Sequence, residues 1–217
     1  MKKYVAFFDL DKTIIDVNSA RYIALFAQKY NLLSKFDIIS GLYYSILYKT
    51  GFLSTEALME IMTKWLKNVD ASRLKQLFND LGRYLVETKI RQKAKEAIDF
   101  HHRQGAKTVI LSASVKDVCA PVRDYLKIDD VICTEMQLNG GIYTGKVSGN
   151  YCYGEEKLQR VNEYCQQHQF NFENAWYYAD SISDLSVLSA IGYPVCVTPD
   201  RKLEKHARKM GWPVESW

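Results

Sequence analysis

Short runs of consecutive apolar residues alternate with amphipathic segments along most of this 217-residue chain. The first run, Tyr4–Phe8, shows no alternation of apolar and polar positions, which is typical of a strand buried on both faces of a parallel sheet. Similar runs predict further strands within residues 106–114, 130–134, 174–180 and 193–200. Amphipathic periodicity predicts helices within residues 115–126, 155–168, 184–192 and 201–211.

This alternation of strands and helices predicts the class of fold. Strands separated by helices of about 10 to 15 residues favour a parallel sheet with right-handed crossovers, that is, a doubly wound α/β core. Residues 136–147, MQLNGGIYTGKV, interrupt the pattern, because two strand-like runs flank the pair Gly140-Gly141. Such a pair between strands predicts a small β-hairpin beside the sheet.

Residues 18–88 differ from the rest of the chain, because they show no clear strand pattern. Helical patterns cover residues 19–33, 36–50, 55–66 and 71–90 instead. We interpret this block as a helical cap domain (residues 18–88) inserted after the first strand, with residues 1–17 and 89–217 forming the α/β core. The alternative is one continuous α/β domain with long helical edges.

The composition and charge of the chain restrict the binding partners and the cellular compartment that we expect for the protein. The chain has 29 basic and 25 acidic residues, a net charge of +4, without a dense basic run, so we expect no nucleic-acid partner. The longest apolar-looking stretch, Phe36–Leu53, is interrupted by charged residues and glycines and is not expected to span a bilayer. The apolar run after Met1-Lys2-Lys3 is shorter than the core of a signal peptide. Five scattered cysteines without a C-x-x-C pair favour a reducing cytoplasm.

Polar side chains that can support chemistry follow the predicted strands. They are Asp9 and Asp11, Ser112 and Ser114, Lys157, and Asp180 and Asp184. In an open α/β sheet, ligands bind in the crevice beyond the carboxyl ends of the strands, so topology should bring these side chains to one edge. Carboxylates suit Mg²⁺, which prefers oxygen ligands and keeps several waters, and a lysine and a hydroxyl suit a phosphate group. The sequence therefore predicts a site for a divalent metal and a phosphate.

The order of these motifs resembles a known family. The chain contains D-x-D-x-T at residues 9–13, a strand that ends in Ser112, then Lys157, then D-x-x-x-D at residues 180–184. All four motifs in this order resemble the haloacid dehalogenase superfamily, and the segments FFDLDKT and YYADSISDLSVL are similar to its subfamily IB, the phosphoserine-phosphatase-like group. The resemblance covers nearly the whole chain. It implies a Mg²⁺-dependent phosphatase, a phosphoric monoester hydrolase, with a helical cap.

The resemblance also implies a role for each motif residue. Asp9 would be the nucleophile that forms an aspartyl-phosphate, and Asp11 would be the general acid and then the base. The implied metal ligands are Asp9, Asp11 (through its backbone carbonyl) and Asp180. The implied phosphate-binding residues are Ser112, Ala113, Lys157 and Thr13. The implied supporting residues are Asp184 and Ser181.

Each motif residue also has an ordinary structural explanation. Asp9 and Asp11 could form a turn with an Asx cap at the end of the strand. Ser112 or Ser114 could cap the helix that follows, and we expect Ser112 to bind phosphate and Ser114 to form the cap. Lys157 could be one of the solvent-exposed lysines that amphipathic helices carry. Asp180 or Asp184 could cap a helix, although a cap does not account for both.

The substrate is less well defined, because the sequence departs from phosphoserine phosphatases at several positions. Asn18 replaces the glutamate that those enzymes use for the substrate ammonium group, and SASVKDV lacks their glycine pair. Glu56, Glu60 or Asp70 could supply a carboxylate instead. We expect a small phosphorylated metabolite that resembles phosphoserine or histidinol phosphate. The alternatives are a phospholipid head-group phosphatase, a phosphotransferase or a non-catalytic sensor of a phosphate ligand.

An aromatic cluster marks the second helical pattern of the cap. It comprises Phe36, Tyr43, Tyr44, Tyr48 and Phe52. We interpret this cluster as the packing core of the cap helices. The alternative is a hydrophobic pocket or a membrane-touching patch for a lipid phosphate. We expect no membrane contact on balance, and the oligomeric state stays open.

Overall fold

A computed structural model of the protein describes residues 3–217, without the side chains of Lys49, Thr55 and Glu56. The strands are β1 Val5–Phe8, β2 Lys107–Val115, β3 Asp130–Thr134, β4 Met136–Asn139, β5 Ile142–Val147, β6 Trp176–Ala179, β7 Tyr193–Val197 and β8 Val214–Glu215. The helices are α1 Ser19–Lys29, α2 Lys35–Lys49, α3 Thr55–Thr63, α4 Ala71–Thr88, α5 Gln92–Arg103, α6 Lys116–Leu126, α7 Glu155–His168, α8 Leu185–Ala190 and α9 Arg201–Met210.

The central sheet is parallel and has six strands in the order β3-β2-β1-β6-β7-β8. The chain builds outward from β1 in both directions, so the winding reverses between β1 and β6. In register, Phe7 of β1 lies between Val109 of β2 and Tyr177 of β6. The predicted doubly wound α/β fold is therefore confirmed, and the crevice for a ligand is expected beyond the carboxyl ends of β1 and β6.

The unbroken apolar run of β1 is explained by burial on both sides of the sheet. Ala6 and Phe8 belong to a hydrophobic cluster that includes side chains of α4 and α6. Val5 and Phe7 point to the opposite face, into a cluster that includes side chains of α7, α8 and α9. Successive strand residues alternate between faces, so a strand covered on both faces needs apolar residues at every position.

The four helices α1 to α4 follow β1, as the helical patterns predicted. The longest of them, α4, lies directly against α6 of the core. A Cβ atom at Gly82 of α4 would lie 2.5 Å from Cγ of Pro121 in α6, so a residue without a side chain permits this close approach. This contact anchors α4 to the α/β core.

The predicted hairpin is confirmed as β4 and β5, an antiparallel pair outside the main sheet. Asn139 and Ile142 face each other across the turn, and Gly140 and Gly141 both have positive φ, at 57° and 84°. Two consecutive positive φ angles match the turn type that suits the twist of a hairpin. The amide of Tyr143 in β5 donates to the Val69 carbonyl at 2.9 Å, so the hairpin packs against the segment before α4.

The aromatic cluster of the second helix does not form a packing core, so that prediction is wrong. Phe36, Tyr43 and Phe52 are 75%, 58% and 82% exposed. Tyr48 faces inward, and its hydroxyl lies 2.7 Å from the hydroxyl of Tyr153. Across residues 3–217, no helix has the length and apolar character needed to cross a membrane.

His101 of α5 is a buried titratable group on the α/β core. Its ring is fully buried and lies between two phenols, with Nδ1 2.9 Å from the hydroxyl of Tyr4 and Nε2 3.0 Å from that of Tyr178. Burial lowers the pKa of His101 to about 4, and the neighbouring His102 adds to the effect. The folded protein therefore holds this imidazole neutral, whereas the unfolded chain protonates it near the ordinary pKa of about 6.5.

This difference predicts acid-dependent loss of stability. Above about pH 6.5 both states hold neutral His101, but between about pH 6.5 and pH 4 only the unfolded state binds the proton. The free energy of unfolding should fall by about 1.4 kcal/mol for each pH unit in that window because of His101 alone. Urea denaturation of the wild type and of His101→Phe across this range should show a shallower slope in the variant. His168→Gln, at an exposed position, should keep the wild-type slope, and equal slopes for all three proteins would contradict the prediction.

Candidate active site

Asp9 lies at the carboxyl end of β1, beside the point where the sheet reverses. Its amide donates to the Tyr178 carbonyl of β6 at 2.9 Å, which fixes the backbone between the two strands. Its side chain is almost fully buried, and Oδ1 accepts a hydrogen bond from Nζ of Lys157 at 2.8 Å. The structure therefore joins the predicted nucleophile to the predicted phosphate-binding lysine.

Lys157 lies in the first turn of α7 and points into the core, not into solvent. Its side chain is 3% exposed, and Nζ lies 2.7 Å from Oδ1 of Asp184. It also donates to the Tyr177 hydroxyl at 3.1 Å. Burial lowers the pKa of Lys157, but the carboxylates of Asp184 and Asp9 outweigh it and raise the pKa well above its ordinary value. The interpretation of Lys157 as a solvent lysine is therefore excluded.

Asp180 follows β6 directly, so it occupies the same edge as Asp9. The side chain is buried, and this burial is the main cause that raises the pKa of Asp180 to about 7. The nearby carboxylates of Asp184 and Asp11 also raise this pKa, whereas Lys12 and Lys157 lower it. Among the described residues, four carboxylates thus share this edge with one buried lysine, Lys157. Such an excess of negative charge is costly unless another cation balances it.

Asp11 is held by Ser19, the first residue of α1. Oδ1 of Asp11 accepts from the Ser19 amide at 2.9 Å, and Oδ2 accepts from the Ser19 hydroxyl at 3.0 Å. The Ser19 hydroxyl also lies 2.8 Å from that of Ser114 at the end of β2. Burial raises the pKa of Asp11 to about 6, and the two bonds from Ser19 limit this rise. Nothing in the local sequence links residues 11 and 19, so Ser19 was not among the predicted site residues.

The end of β2 places Ser112 in the site but corrects the expectation for Ser114. Ser112 is buried, and its hydroxyl accepts from the Ser114 amide at 3.1 Å. The prediction that Ser114 caps the next helix is wrong, because β2 extends to Val115 and α6 begins at Lys116 without a side-chain cap. The carbonyl of Ala113 accepts from the Thr134 hydroxyl at 2.9 Å, which fixes this strand end.

Thr13 and Ser181 differ in whether their hydroxyl groups have hydrogen-bond partners. Thr13 is fully buried, and its hydroxyl oxygen has no hydrogen-bond partner among the described residues. A buried hydroxyl of this kind normally requires a partner, which a ligand or a bound water can supply. Ser181 has partners, because its hydroxyl donates to Asp200 at 3.3 Å and accepts from the Ser183 amide at 3.3 Å. Ser181 therefore orders the loop after β6.

The donor set of the site fits a magnesium ion. Within residues 3–217, no three His, Cys, Asp or Glu side chains are grouped so that they could hold a metal by themselves. Mg²⁺ does not need such a group, because it keeps several waters and is commonly bound by one or two carboxylates. The buried carboxylates of Asp9 and Asp180, together with the backbone carbonyl of Asp11, provide oxygen donors of the required kind.

These features define a class of protein: an enzyme with a doubly wound parallel sheet and a cluster of buried charged side chains at the carboxyl ends of its strands. The chain belongs to the haloacid dehalogenase-like hydrolase family, whose family model matches residues 6–189. The predicted family is therefore confirmed.

Relatives with assigned activities extend over almost the whole chain. A probable phosphatase of Mycobacterium tuberculosis is 33% identical over 218 residues, which cover 98% of this chain and 75% of that protein. A histidinol-phosphatase of Neisseria meningitidis serogroup C is 26% identical, with 98% of each chain covered. A solved phosphoserine phosphatase, captured as an analogue of its phospho-aspartyl intermediate, has a TM-score of 0.73 at 16% identity and covers 100% of this chain and 94% of its own. The likeness to this solved structure concerns the fold alone. The family and the two relatives confirm the predicted enzyme class, a phosphoric monoester hydrolase.

Removing the Ser19 hydroxyl tests whether α1 positions Asp11. Ser19→Ala should lower kcat for phosphate-ester hydrolysis about tenfold, because a hydrogen bond to a charged group contributes roughly 1.5–3 kcal/mol. Steady-state kinetics should show this loss in kcat with little change in KM. Asn18→Ala is the matched control, because Asn18 caps the same helix through the Arg21 amide without a contact to Asp11. Equal losses of kcat in Ser19→Ala and Asn18→Ala would show that the effect comes from disturbing the start of α1 and not from the lost hydrogen bond to Asp11.

Proposed function

We propose that this protein is a Mg²⁺-dependent phosphatase that hydrolyses a phosphate monoester through an aspartyl-phosphate on Asp9. The observation that carries the proposal is the buried bridge in which Lys157 joins Asp9 and Asp184, at 2.8 Å and 2.7 Å. The bridge lies at the switch point of the sheet, where α/β proteins bind their ligands. A merely structural ion pair needs one carboxylate for one lysine, whereas this edge also contains Asp180 and Asp11.

In the first half-reaction, a carboxylate oxygen of Asp9 attacks phosphorus, and the bond from phosphorus to the ester oxygen breaks. Asp11 donates its proton to the departing alkoxide, a role that suits a carboxyl whose pKa is raised to about 6. Lys157 holds Asp9 in place and supplies positive charge beside the phosphoryl oxygens. Ser112, the Ala113 backbone and Thr13 provide the remaining phosphate contacts.

In the second half-reaction, Asp11 takes a proton from a water molecule, which attacks the phosphorus of the aspartyl-phosphate. The bond between Asp9 and phosphorus breaks, and inorganic phosphate leaves. Asp9, Asp180 and the backbone carbonyl of Asp11 would hold Mg²⁺, which supplies charge stabilisation to the transferring phosphoryl group. Asp184 supports Lys157, and Ser181 supports the loop that carries Asp180.

We further propose that residues 18–88 act as a cap over a core formed by residues 1–17 and 89–217. The hydrogen bond from the Ser19 hydroxyl of α1 to the Asp11 carboxylate supports a cap that acts on the core. Movement of α1 would break this bond and free the Asp11 side chain. Closure would exclude water during the first transfer, and opening would admit it for the second.

The substrate class we favour is a small phosphorylated metabolite similar to histidinol phosphate or phosphoserine. The histidinol-phosphatase relative supports this choice by its alignment over 98% of both chains. Support for phosphoserine itself is weaker, because Asn18 and Asp70 are occupied as helix caps, of α1 and α4. Glu60 is exposed on α3, and Glu56 lies outside the described side chains. We place the enzyme in the cytoplasm, in keeping with the five free thiols.

Two rival functions are a sensor that binds a phosphate ligand without turnover and a phosphotransferase. The complete set of Asp9, Asp11, Lys157 and Asp180 favours an enzyme over a sensor, because binding alone requires no nucleophile. A phosphotransferase shares the first half-reaction and differs only in the acceptor. Adding alcohols to the assay and measuring the ratio of released phosphate to released alcohol distinguishes the two enzymes.

The proposal is tested by phosphate release from a panel of phosphate monoesters with Mg²⁺ or with a chelator. We expect release that requires Mg²⁺ and returns when Mg²⁺ is restored in excess of the chelator. Histidinol phosphate and phosphoserine should rank above nucleotides and sugar phosphates. Full activity after exhaustive chelation, or activity confined to the lower-ranked esters, would contradict the metal or the substrate class respectively.

A further inference from the structure

The second helix turns its apolar side chains outward. Phe36, Ile39, Leu42, Tyr43 and Ile46 are each between 52% and 75% exposed. They recur every three or four residues, so they form one continuous line along α2, here called the α2 apolar stripe. A surface helix normally faces its apolar side inward, so this orientation needs a cause.

The inner face of α2 explains why the helix cannot rotate to bury the stripe. Gly41 faces α3, where a Cβ at this position would meet Sδ of Met62 at 3.5 Å. The Tyr48 hydroxyl lies 2.7 Å from that of Tyr153, in the loop before α7. These small and polar contacts hold α2 with its apolar side in water.

Phe52, three residues after the end of α2, is also exposed. At 82% exposure, it is the most exposed large apolar side chain in the described part of the chain, and Phe36 follows at 75%. Single exposed apolar residues are common on proteins, but a continuous line such as the α2 apolar stripe marks an interaction surface.

The charge around the stripe indicates the sign of the partner. Within α2 the basic residues are Lys35 and Lys49 and the acidic residue is Asp37, whereas the neighbouring α3 carries Glu56 and Glu60. Lys35 is exposed on the same side of α2 as the stripe, as the helical period requires. The acidic residue, Asp37, falls on the other side and accepts from the amide and hydroxyl of Ser34 at 2.7 Å and 2.6 Å, so it is occupied as a cap. The stripe therefore combines apolar and positive character.

We propose that the α2 apolar stripe and Phe52 bind the surface of an anionic lipid bilayer, with α2 lying parallel to the membrane plane. Helices that bind this interface place aliphatic and aromatic side chains at the acyl boundary and lysines toward anionic head groups. Tyrosine suits this depth because its ring is apolar and its hydroxyl is polar. A second copy of the chain fits less well, because the stripe carries Lys35 without an acidic residue of its own to pair with it.

Membrane binding through the stripe would leave the inner face of α2, and the loop before α7 that it contacts, on the side away from the bilayer. The inner face of α2 contacts Tyr153, which precedes the buried Lys157 by four residues. The stripe lies on the opposite side of the same helix, about 10 Å away across the helix diameter. The stripe and the contact with the loop before α7 therefore lie on opposite faces of α2. The proposal concerns binding and does not rest on the phosphatase activity.

The test is co-sedimentation of the full chain with vesicles of phosphatidylcholine alone or mixed with phosphatidylglycerol. The wild type should pellet with the mixed vesicles and much less with phosphatidylcholine alone. The double variant Ile39→Ser/Ile46→Ser should bind the mixed vesicles at least about tenfold more weakly, because each isoleucine loses its burial in the acyl boundary. Lys35→Glu should weaken binding to the mixed vesicles about fivefold or more and leave the weak binding to phosphatidylcholine unchanged.

Matched controls separate the surface from the fold and from catalysis. Met210→Ser removes a side chain that is 53% exposed at the end of α9 and should bind vesicles as the wild type does. Circular dichroism should show that all variants are folded. Hydrolysis of para-nitrophenyl phosphate should be unchanged in the stripe variants, so a failure of binding and a failure of the proposed enzyme are measured separately.

Three outcomes would overturn the proposal. The wild type could fail to pellet with the mixed vesicles, or the stripe variant could pellet as well as the wild type. Sedimentation velocity could instead show a wild-type dimer that Ile39→Ser/Ile46→Ser converts to a monomer, with no vesicle binding. That result would assign the stripe to contact between two copies of the chain.

Discussion

Asp9→Asn is expected to abolish phosphate release, with a loss of at least about 10³-fold in kcat. An amide cannot replace the carboxylate as the nucleophile, and it also removes one oxygen donor for Mg²⁺. The fold should survive, because the change removes one of the carboxylates that repel each other at this edge. Stopped-time assays with an ester labelled in its phosphate should detect no labelled protein after denaturation. The melting temperature of Asp9→Asn without metal should equal or exceed that of the wild type, and Mg²⁺ should no longer raise this temperature.

Asp11→Asn provides the contrast that identifies the two roles. This variant keeps Asp9, so an ester with a good leaving group, such as para-nitrophenyl phosphate, should still transfer its phosphoryl group. Hydrolysis of the aspartyl-phosphate should be slow, because no carboxylate remains to take the proton from water. Labelled protein should therefore accumulate in Asp11→Asn and be absent from Asp9→Asn. Label that accumulates equally in both variants would place the covalent intermediate on another residue.

Lys157→Met is expected to have the largest effect on stability. Lys157, Asp9 and Asp184 have side chains that are 3%, 9% and 3% exposed, so removing the lysine leaves two buried carboxylates without their shared cation. Breaking one side of such a buried pair costs about 3–5 kcal/mol of unfolding free energy. Phosphatase activity should fall by at least about 10²-fold, because the positive charge beside the phosphoryl oxygens is lost. Urea denaturation without metal measures the first effect, and phosphate release measures the second.

Two further variants separate stability from chemistry in this bridge. Lys157→Met/Asp184→Asn removes one of the two stranded charges and should recover about 1–3 kcal/mol of stability, but no activity. Lys205→Met removes an exposed lysine of α9 and should change neither property. If Lys157→Met were as stable as the wild type, the bridge would not be the buried ion pair that the structure describes.

Local sequence patterns were sufficient for most of the architecture. The unbroken run in β1 indicated a strand covered on both faces, and the amphipathic pattern of residues 155–168 coincides with α7. The pair Gly140-Gly141 indicated the hairpin, because few other residues accept two consecutive positive φ angles. The short strand β8 and the helix α5 were not predicted. The two residues of β8 are too few to show a period, and their pairing with Cys196 and Val197 is decided by the neighbouring strand.

The sequence by itself therefore determined every strand except β8, the order of the motifs and the four polar strand ends, since these depend on residue type and spacing along the chain. Only the tertiary structure decided which of those groups meet. It paired Lys157 with both Asp9 and Asp184, and it brought Ser19 to Asp11 and to Ser114, 95 positions away. It also turned the apolar side of α2 outward, against the usual expectation for an amphipathic helix. Periodicity fixes which residues share a face, but the neighbours that the fold supplies decide whether that face is buried.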